Sequence, residues 1–192
     1  MINWKSFIGH WNTVAEHRKW VRHYCFKMGL YWQGLTHDLS KYHPIEFFES
    51  VKYYQGTRSP IDACKEANGY SMAWFHHRGR NKHHHCYWVD NFDQGMTFNI
   101  MPYKYFVEML CDYLGAGRAY MGRNFSYAKE REWWQGKRKT IAMHPKQIEM
   151  LDAIFDRLAD KEAQGYDPME ETSLGMQWFV EEIYECCKKE AC

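Results

Sequence analysis

Apolar residues recur with the period of an α-helix along almost the whole chain, and this pattern limits the fold more than any other feature. Between residues 3 and 28 they share one helical face, which comprises Trp4, Phe7, Ile8, Trp11, Val14, Val21, Cys25 and Met28. Gly29 is expected to end this helix. The pattern also predicts short helices over 37–41 and about 128–134, and longer ones over 44–54, 61–77, 102–120, 145–163 and 174–188. Because no run alternates like a half-buried strand, we predict an all-α fold.

The length of the chain suits a single domain. It has 192 residues, of which 45% are hydrophobic and 18% aromatic, enough to bury a packed core. No repeat, low-complexity tract or linker divides it. We therefore predict a single-domain helical bundle over 1–192, with a site-bearing core at about 10–122 and C-terminal helices at about 145–190.

Charge and cysteine content exclude several classes of protein. Lys plus Arg number 25 and Asp plus Glu number 24, a balance that does not indicate a general nucleic-acid binder or a membrane-surface binder. The seven cysteines are odd in number and lack CxxC spacing, so a disulfide framework or a zinc ribbon is not expected. Without a long apolar run, the sequence predicts a cytoplasmic protein.

Histidine is the unusual residue in the composition. Five of the eleven histidines lie between residues 76 and 85, and histidine is the commonest metal ligand. A turn between two pairs could aim imidazoles at one point, so the candidate ligands are His76, His77, His83 and His84. Spacing does not decide which member of each pair binds, and a solvated histidine-rich loop is the alternative. Basic residues within this segment would suit an anionic substrate.

The segment HDLSK, residues 37–41, offers a second group of ligands. His37 presents an imidazole and Asp38 a carboxylate that could bridge two ions, while Lys41 lies one turn after His37 and could hold an anionic oxygen. The alternative is an ordinary helix N-terminus, with Thr36 as its cap and Asp38 near the helix dipole.

His17 is the candidate ligand from the first helix. Val14 and Val21 are its neighbours on the helix face, so its side chain should point inward. A lone inward histidine is more often a hydrogen-bonded core residue. His10 and His23 are competitors, and His17 is preferred for its place one helix before His37.

Asp112 is the last candidate ligand. It shares a helix face with Tyr105, Met109, Ala116 and Ala119, where a carboxylate is costly unless it is paired or binds a metal. A simple ion pair is the alternative. Glu108, one turn earlier, could orient a ligand or act as a general base.

Together these residues form an ordered set of oxygen and nitrogen donors without a thiolate. Such a set suits divalent transition metals, with two ions of Fe, Mn, Zn, Co or Ni as the expectation. The order of the set is His17, His37-Asp38, His76 or His77, His83 or His84, then Asp112.

That order resembles the HD-domain superfamily of metal-dependent phosphohydrolases, and its two additional histidines resemble the dinuclear branch. Lys41 resembles the substrate-contacting lysine of HDxGK, with Ser40 in place of the glycine. The chain looks most like an uncharacterised family of bacterial and phage HD-like proteins, through the segments HDLSKYHPIEF, AWFHHRGRNKHH, MPYKYFVEMLCDYLGAGRAYMG and MHPK. This resemblance implies an HD-like helical bundle and a metal site, but no particular reaction.

Three functions follow as hypotheses. The first is a metal-dependent phosphohydrolase acting on a small anionic substrate such as a nucleotide, in which Lys41 and Arg118 would neutralise charge in the transition state. Arg118 could equally make a structural salt bridge, and Gly115 and Gly117 are expected to allow close helix packing. The second is an HD-type diiron oxygenase, and the third is a non-catalytic protein that a metal stabilises for interaction with a partner.

Overall fold

The computed structural model describes residues 3–93, 95–169 and 173–190 and is built almost entirely of helices. Short 3-10 turns lie at Leu39–Tyr42, His85–Trp88 and Gly122–Asn124. The longer elements are α1 (Trp4–Lys27), α2 (Tyr31–Thr36), α3 (Pro44–Lys52), α4 (Pro60–Asn68), α5 (Met72–Arg80), β1 (Val89–Phe92), β2 (Gly95–Phe98), α6 (Tyr103–Met121), α7 (Tyr127–Lys137), α8 (Pro145–Ala163) and α9 (Ser173–Glu190). The predicted all-α fold is confirmed.

Side-chain caps and prolines fix where the helices begin. The Asn3 side chain accepts a hydrogen bond from the Ser6 N–H at 2.8 Å at the start of α1. Pro44 and Pro145 occupy the first turns of α3 and α8, where a missing N–H costs nothing. These signals are local in the sequence, and so the predicted starts of these helices agree with the structure.

The helix predicted over 61–77 is wrong as one element, because the chain breaks it into α4 and α5. Gly69 adopts a left-handed conformation, with φ +80°, and its N–H donates to the Lys65 carbonyl at 2.7 Å. Ser71 then caps α5 by accepting from the Trp74 N–H at 3.0 Å. The break sets the direction of α5, which carries His77.

The helices are accompanied by one short hairpin of two four-residue strands, which the helical pattern did not predict. β1 pairs antiparallel with β2, with Val89 opposite Phe98. Three of the four residues of β2 are exposed, so this strand has no buried face for an alternating pattern to mark, which explains why periodicity missed it. The hairpin follows the histidine-rich turn, and the Asn99 N–H donates to the Trp88 carbonyl at 2.9 Å at its base.

The hydrophobic core surrounds the contact between α1 and α6, and α8 and α9 close it on one side. Gln147 is fully buried in α8, where its amide donates to the Met101 carbonyl at 2.8 Å and accepts from the Met101 N–H at 2.9 Å. The largest fully buried side chains are Trp134, Tyr24, Phe106, Phe155, Met28, Met101, Met109, Leu110, Leu114, Met150, Leu151 and Ile154. This core holds α1 and α6 in fixed relative positions, and both helices carry site residues.

Across the described ranges, no helix is both long enough and apolar enough to cross a membrane. The longest, α1, has 24 residues but includes Lys5, Glu16, Arg18, Lys19 and Arg22.

A buried acid in α7 makes stability depend on pH. The Glu130 side chain is 3% exposed and lies against α6 at Gly117, and burial raises its pKa from 4.5 to about 7. The Glu130 carboxyl loses its proton near pH 4.5 in the unfolded chain but keeps it until about pH 7 in the folded chain. Stability is therefore lost as the pH rises between these values.

We expect Glu130→Gln to stabilise the protein by about 1–3 kcal/mol at pH 8 and by little at pH 5, because the amide never ionises. Urea unfolding of both proteins at the two pH values checks this. Taking the difference between variant and wild type removes the pH dependence of every other group. An equal effect at pH 5 and pH 8 would contradict the assignment.

Candidate metal centre

Five parts of the chain bring the candidate ligands together beside α1 and α6. His17 comes from α1, Asp112 and Glu108 lie one turn apart on α6, and His77 comes from α5. His83 and His84 follow α5 in a turn, in which the His84 N–H donates to the Asn81 carbonyl at 3.2 Å. His37 and Asp38 lie between α2 and the Leu39–Tyr42 turn. Residues from 17 to 112 therefore meet in a single cluster.

His37 and Asp38 do not lie within a helix, which corrects the predicted short helix over 37–41. α2 ends at Thr36, whose hydroxyl donates to the Trp32 carbonyl rather than capping a new helix. Asp38 has φ +53°, an uncommon left-handed conformation for a residue other than glycine. The Arg18 guanidinium donates to the His37 carbonyl at 2.8 Å and so holds the junction against α1.

Asp38 lies at the centre of the cluster, and its two oxygens face different groups of histidines. Oδ2 lies 3.4 Å from the Nε2 atoms of both His17 and His37. Asp112 completes this first group, with Oδ1 3.2 Å from His17 Nε2 and 3.5 Å from His37 Nε2. One donor atom from each of these four residues lies within 4.8 Å of the others.

The second group forms around the other oxygen of Asp38. Oδ1 lies 3.3 Å from His77 Nε2 and 3.4 Å from His83 Nε2. His84 joins them, and its ring centre is 4.3 Å from that of His83 and 4.8 Å from that of His77. Donor atoms of Asp38, His77, His83 and His84 again lie within 4.8 Å of one another. Asp38 is therefore common to both groups.

Two buried glutamates fix the orientation of the imidazoles. Glu108 Oε1 accepts from Nδ1–H of His37 at 3.0 Å and lies 3.2 Å from Nδ1 of His83. Glu46 Oε2 accepts from Nδ1–H of His77 at 2.8 Å. With the proton on Nδ1, the Nε2 atoms of these three rings present lone pairs to the cluster.

This arrangement places acceptor atoms opposite one another in a buried space. Within the described chain, the Nε2 atoms of all five clustered histidines and Asp38 Oδ1 are buried without a hydrogen-bond partner. Lone pairs 3.2–3.5 Å apart repel unless a positive charge lies between them. Two ligands of one ion, with bonds of about 2.1 Å, are about 3.0–3.4 Å apart. The donor set and its spacing therefore fit two metal ions that share Asp38.

The carboxylates and His84 have charge states that suit metal ligands. Burial alone would raise the pKa of Asp38, but His37 and Lys41 hold it well below its usual range. Burial opposes ionisation of Asp112 in the same way, and contact with His17 and His37 lowers the pKa of that carboxyl. Burial and the neighbouring His83 and His77 lower the pKa of His84, so its ring is neutral. Burial would lower the pKa of His37 too, but Asp38, Asp112 and Glu108 raise it well above its usual value, so a metal ion at its Nε2 would have to displace a proton.

His76 lies near the cluster but outside both groups. Its Nδ1 is 2.5 Å from Glu46 Oε1, and its ring stacks on His43 with 4.4 Å between ring centres. Of the pair 76 and 77, only His77 joins a group of candidate ligands, whereas His83 and His84 both do so. His76 instead supports Glu46, which orients His77.

Arg118 lies away from the cluster, which corrects its predicted role in the site. Its Nε–H donates to the Tyr24 hydroxyl at 2.9 Å, and its guanidinium lies 4.1 Å from the centre of the Phe125 ring. Asp167 Oδ2 lies 3.9 Å from Arg118 Nη2. These contacts support the alternative of a structural arginine, which packs the end of α6 against neighbouring aromatic side chains.

Glu46 is the residue that sequence analysis missed. It is 3% exposed, it contacts His76 and His77, and its Oε2 also accepts a hydrogen bond from the Ser40 hydroxyl at 3.2 Å. A signal was present, because Glu46 shares the inward face of α3 with Ser50, one turn on. An inward acid is the same signal that identified Asp112.

The family comparison covers most of the chain. No curated protein and no protein of known structure matches it. A family of unknown function, DUF5662, matches residues 7–157, a span that contains every candidate ligand. The chain therefore belongs to the DUF5662 family.

Proposed function

We propose that the protein is a metal-dependent phosphohydrolase with two divalent transition-metal ions held in the two groups around Asp38. The proposal rests on one observation. The Nε2 atoms of five histidines are buried, have no hydrogen-bond partner among the described residues, and converge on the carboxylate of Asp38. Nitrogen and oxygen donors favour Fe, Mn, Zn, Co or Ni. Ions of this kind lower the pKa of water and neutralise phosphoryl oxygens.

Lys41 supports an anionic substrate. Its ammonium lies 3.2 Å from Asp38 Oδ2, and the residue lines a pocket beside the first group. A phosphoryl oxygen bound beside the first group would meet this charge, which would orient the ester and stabilise the negative charge that builds up during hydrolysis. Glu108 is assigned a positioning role rather than that of a general base, because its Oε1 is occupied by two imidazoles.

The proposal also includes membership of a wider superfamily and a location in the cytoplasm. The ligand order His17, His37-Asp38, His77, His83-His84 and Asp112 supports membership of the HD-domain superfamily. A cytoplasmic location is supported by five described cysteines that form no disulfide, namely Cys25, Cys64, Cys86, Cys111 and Cys186.

Metal analysis and hydrolysis assays on the full chain test the function. After anaerobic purification we expect about two transition-metal ions per chain, and hydrolysis of 4-nitrophenyl phosphate that a chelator abolishes and added metal restores. Two irons with an oxygen-dependent absorbance change and no hydrolysis would identify a diiron oxygenase instead. Bound metal with neither activity would favour the non-catalytic, metal-stabilised alternative.

Glu108→Gln tests whether the buried glutamate orients two ligands. The amide oxygen can still face both Nδ1–H groups, but it carries no negative charge, so its contacts to His37 and His83 weaken and neither ring is held as firmly. We expect metal affinity to fall about 10–100-fold. Competition with a chelator of known affinity measures this. The exposed Glu149 on α8 supplies the control Glu149→Gln, and equal affinities of the two variants would refute the role.

A further inference from the structure

A pocket of about 190 Å³ opens beside the first group of candidate ligands. His17, Asp112 and Lys41 form the end nearest the ligands, and α1, α3, α6 and the start of α4 form the walls. Pockets for drug-sized ligands are about 300–1,000 Å³, so this one fits a smaller molecule.

His10 lines the same pocket from α1. The residue is 5% exposed, and its Nδ1 is buried with no hydrogen-bond partner among the described residues. Its ring is held in place by Phe47 and Tyr54, whose ring centres are 5.1 and 6.1 Å away. A buried polar atom without a partner costs about 1–3 kcal/mol, which a bound ligand or water would offset.

The helix sets the distance between His10 and the metal centre. His10 precedes His17 by two turns of α1 and lies on the same face. At 1.5 Å per residue the two lie about 10 Å apart along the axis. A molecule whose one end lies at His17 and Lys41 could therefore contact His10 with a second group, a few bonds from that end.

The part of the pocket around His10 suits an uncharged group. Lys41 is the only lysine or arginine among the described lining residues, and Asp38 already contacts it. Burial, with a contribution from the charge of Lys41, lowers the pKa of His10 to about 4. The ring is therefore neutral at physiological pH and offers one donor and one acceptor. Hydroxyl-bearing Thr13, Ser50 and Ser59 also line the pocket.

We propose that His10 determines substrate specificity by hydrogen bonding a hydroxyl of the substrate, which is a phosphate monoester of a small hydroxylated alcohol rather than a nucleotide. This inference rests on the proposed phosphohydrolase function. The phosphate lies at Lys41 and the metal centre, and the hydroxyl lies at His10. A second phosphate would meet no further lysine or arginine among the described residues of the pocket.

Paired substrates test this assignment. Short ω-hydroxyalkyl phosphates are compared with alkyl phosphates in which a methyl group replaces the terminal hydroxyl. We expect wild-type kcat/KM to favour the hydroxylated member about 10–100-fold, because the methyl leaves His10 Nδ1 without a partner. Nucleoside monophosphates should be poorer substrates than the best hydroxyalkyl phosphate, and a preference for them would overturn the size argument.

His10→Leu should reduce the preference to about one, mainly by raising KM for the hydroxylated member. His10→Gln, which keeps a polar group, should retain part of it. His23→Leu is the matched control, since His23 lies on the same helix outside this pocket. Melting temperature and metal content confirm that each variant is folded and loaded. An undiminished preference in folded His10→Leu would overturn the role of His10.

A protein that is not a phosphohydrolase would give a different result with these substrates. If wild type hydrolyses no ester, the same pairs are tested as ligands by calorimetry. In one outcome, the wild type binds the hydroxylated member more tightly and His10→Leu abolishes this preference. That result would show that His10 binds ligand in a protein that is not a phosphohydrolase. Equal binding of both members would overturn that as well.

Discussion

Replacing Asp38 by alanine is expected to remove both metal ions and to lower hydrolysis about a thousandfold or more. Asp38 is the only residue common to the two four-residue groups of the described chain, with Oδ2 toward His17 and His37 and Oδ1 toward His77 and His83. Loss of the bridging carboxylate leaves each group one donor short. Loss of several kcal/mol of transition-state stabilisation corresponds to about three orders of magnitude in rate.

A second substitution separates the loss of charge from backbone strain. Alanine is poorly suited to the left-handed conformation of Asp38, at φ +53°, whereas asparagine tolerates it. Asp38→Asn should also lose metal, because its amide carries no negative charge. The metal-free form of Asp38→Asn should melt closer to metal-free wild type than the metal-free form of Asp38→Ala does.

Elemental analysis, kinetics and melting curves provide the measurements. Asp62→Ala, at an exposed aspartate in the first turn of α4, is the matched control and should keep metal and activity. Two ions retained in Asp38→Asn would contradict the shared-ligand arrangement. A large loss of stability on removing metal from the wild type would indicate that the ions hold the fold together rather than serve catalysis alone.

Most helices of this protein could be predicted because their signals are local. Asn3, Pro44 and Pro145 mark helix starts, and the apolar period continues between the ends. The break at Gly69 was missed because residues on both sides continue the same period. The left-handed conformation of Asp38 could not be read from the sequence, because residues other than glycine rarely adopt it.

The candidate ligands were predictable as a set but not individually. His76 and His77 are adjacent on α5 and point about 100° apart, so spacing could not decide between them. Glu46 contacts Nδ1 of both rings, and the decision depends on Asp38, whose Oδ1 lies 3.3 Å from Nε2 of His77. Arg118 could have been excluded, because six residues after Asp112 its side chain points about 120° away around α6.

Gly115→Ala is expected to destabilise the protein by about 1–3 kcal/mol and to weaken metal binding as a consequence. A Cβ at this position would overlap Val21 Cγ2 and lie 2.9 Å from the Val21 backbone nitrogen. Val21 is fully buried, so α1 has to move away as a whole. Overpacking of this kind costs about 1–3 kcal/mol, which the better helix propensity of alanine offsets by less than about 1 kcal/mol.

The effect on metal binding follows from where the two helices meet. Val21 is one turn from His17 on α1, and Gly115 is within one turn of Asp112 on α6. A shift that separates α1 from α6 therefore lengthens the contact between His17 Nε2 and Asp112 Oδ1, now 3.2 Å. Urea unfolding and chelator competition measure the two effects. Gly136→Ala, in α7 with no described atom within 4 Å of the added Cβ, is the control and should be neutral or slightly stabilising.

A double variant distinguishes side-chain overlap from backbone overlap. Val21→Ala removes Cγ2 but leaves the backbone nitrogen in place, so Gly115→Ala combined with Val21→Ala should recover only part of the stability that Gly115→Ala loses. The coupling energy is the measured quantity, since Val21→Ala alone also leaves a cavity. Complete recovery would place the overlap in the side chain alone. Wild-type stability of Gly115→Ala would mean that close approach of the two backbones at Gly115 is not what sets the spacing of His17 and Asp112.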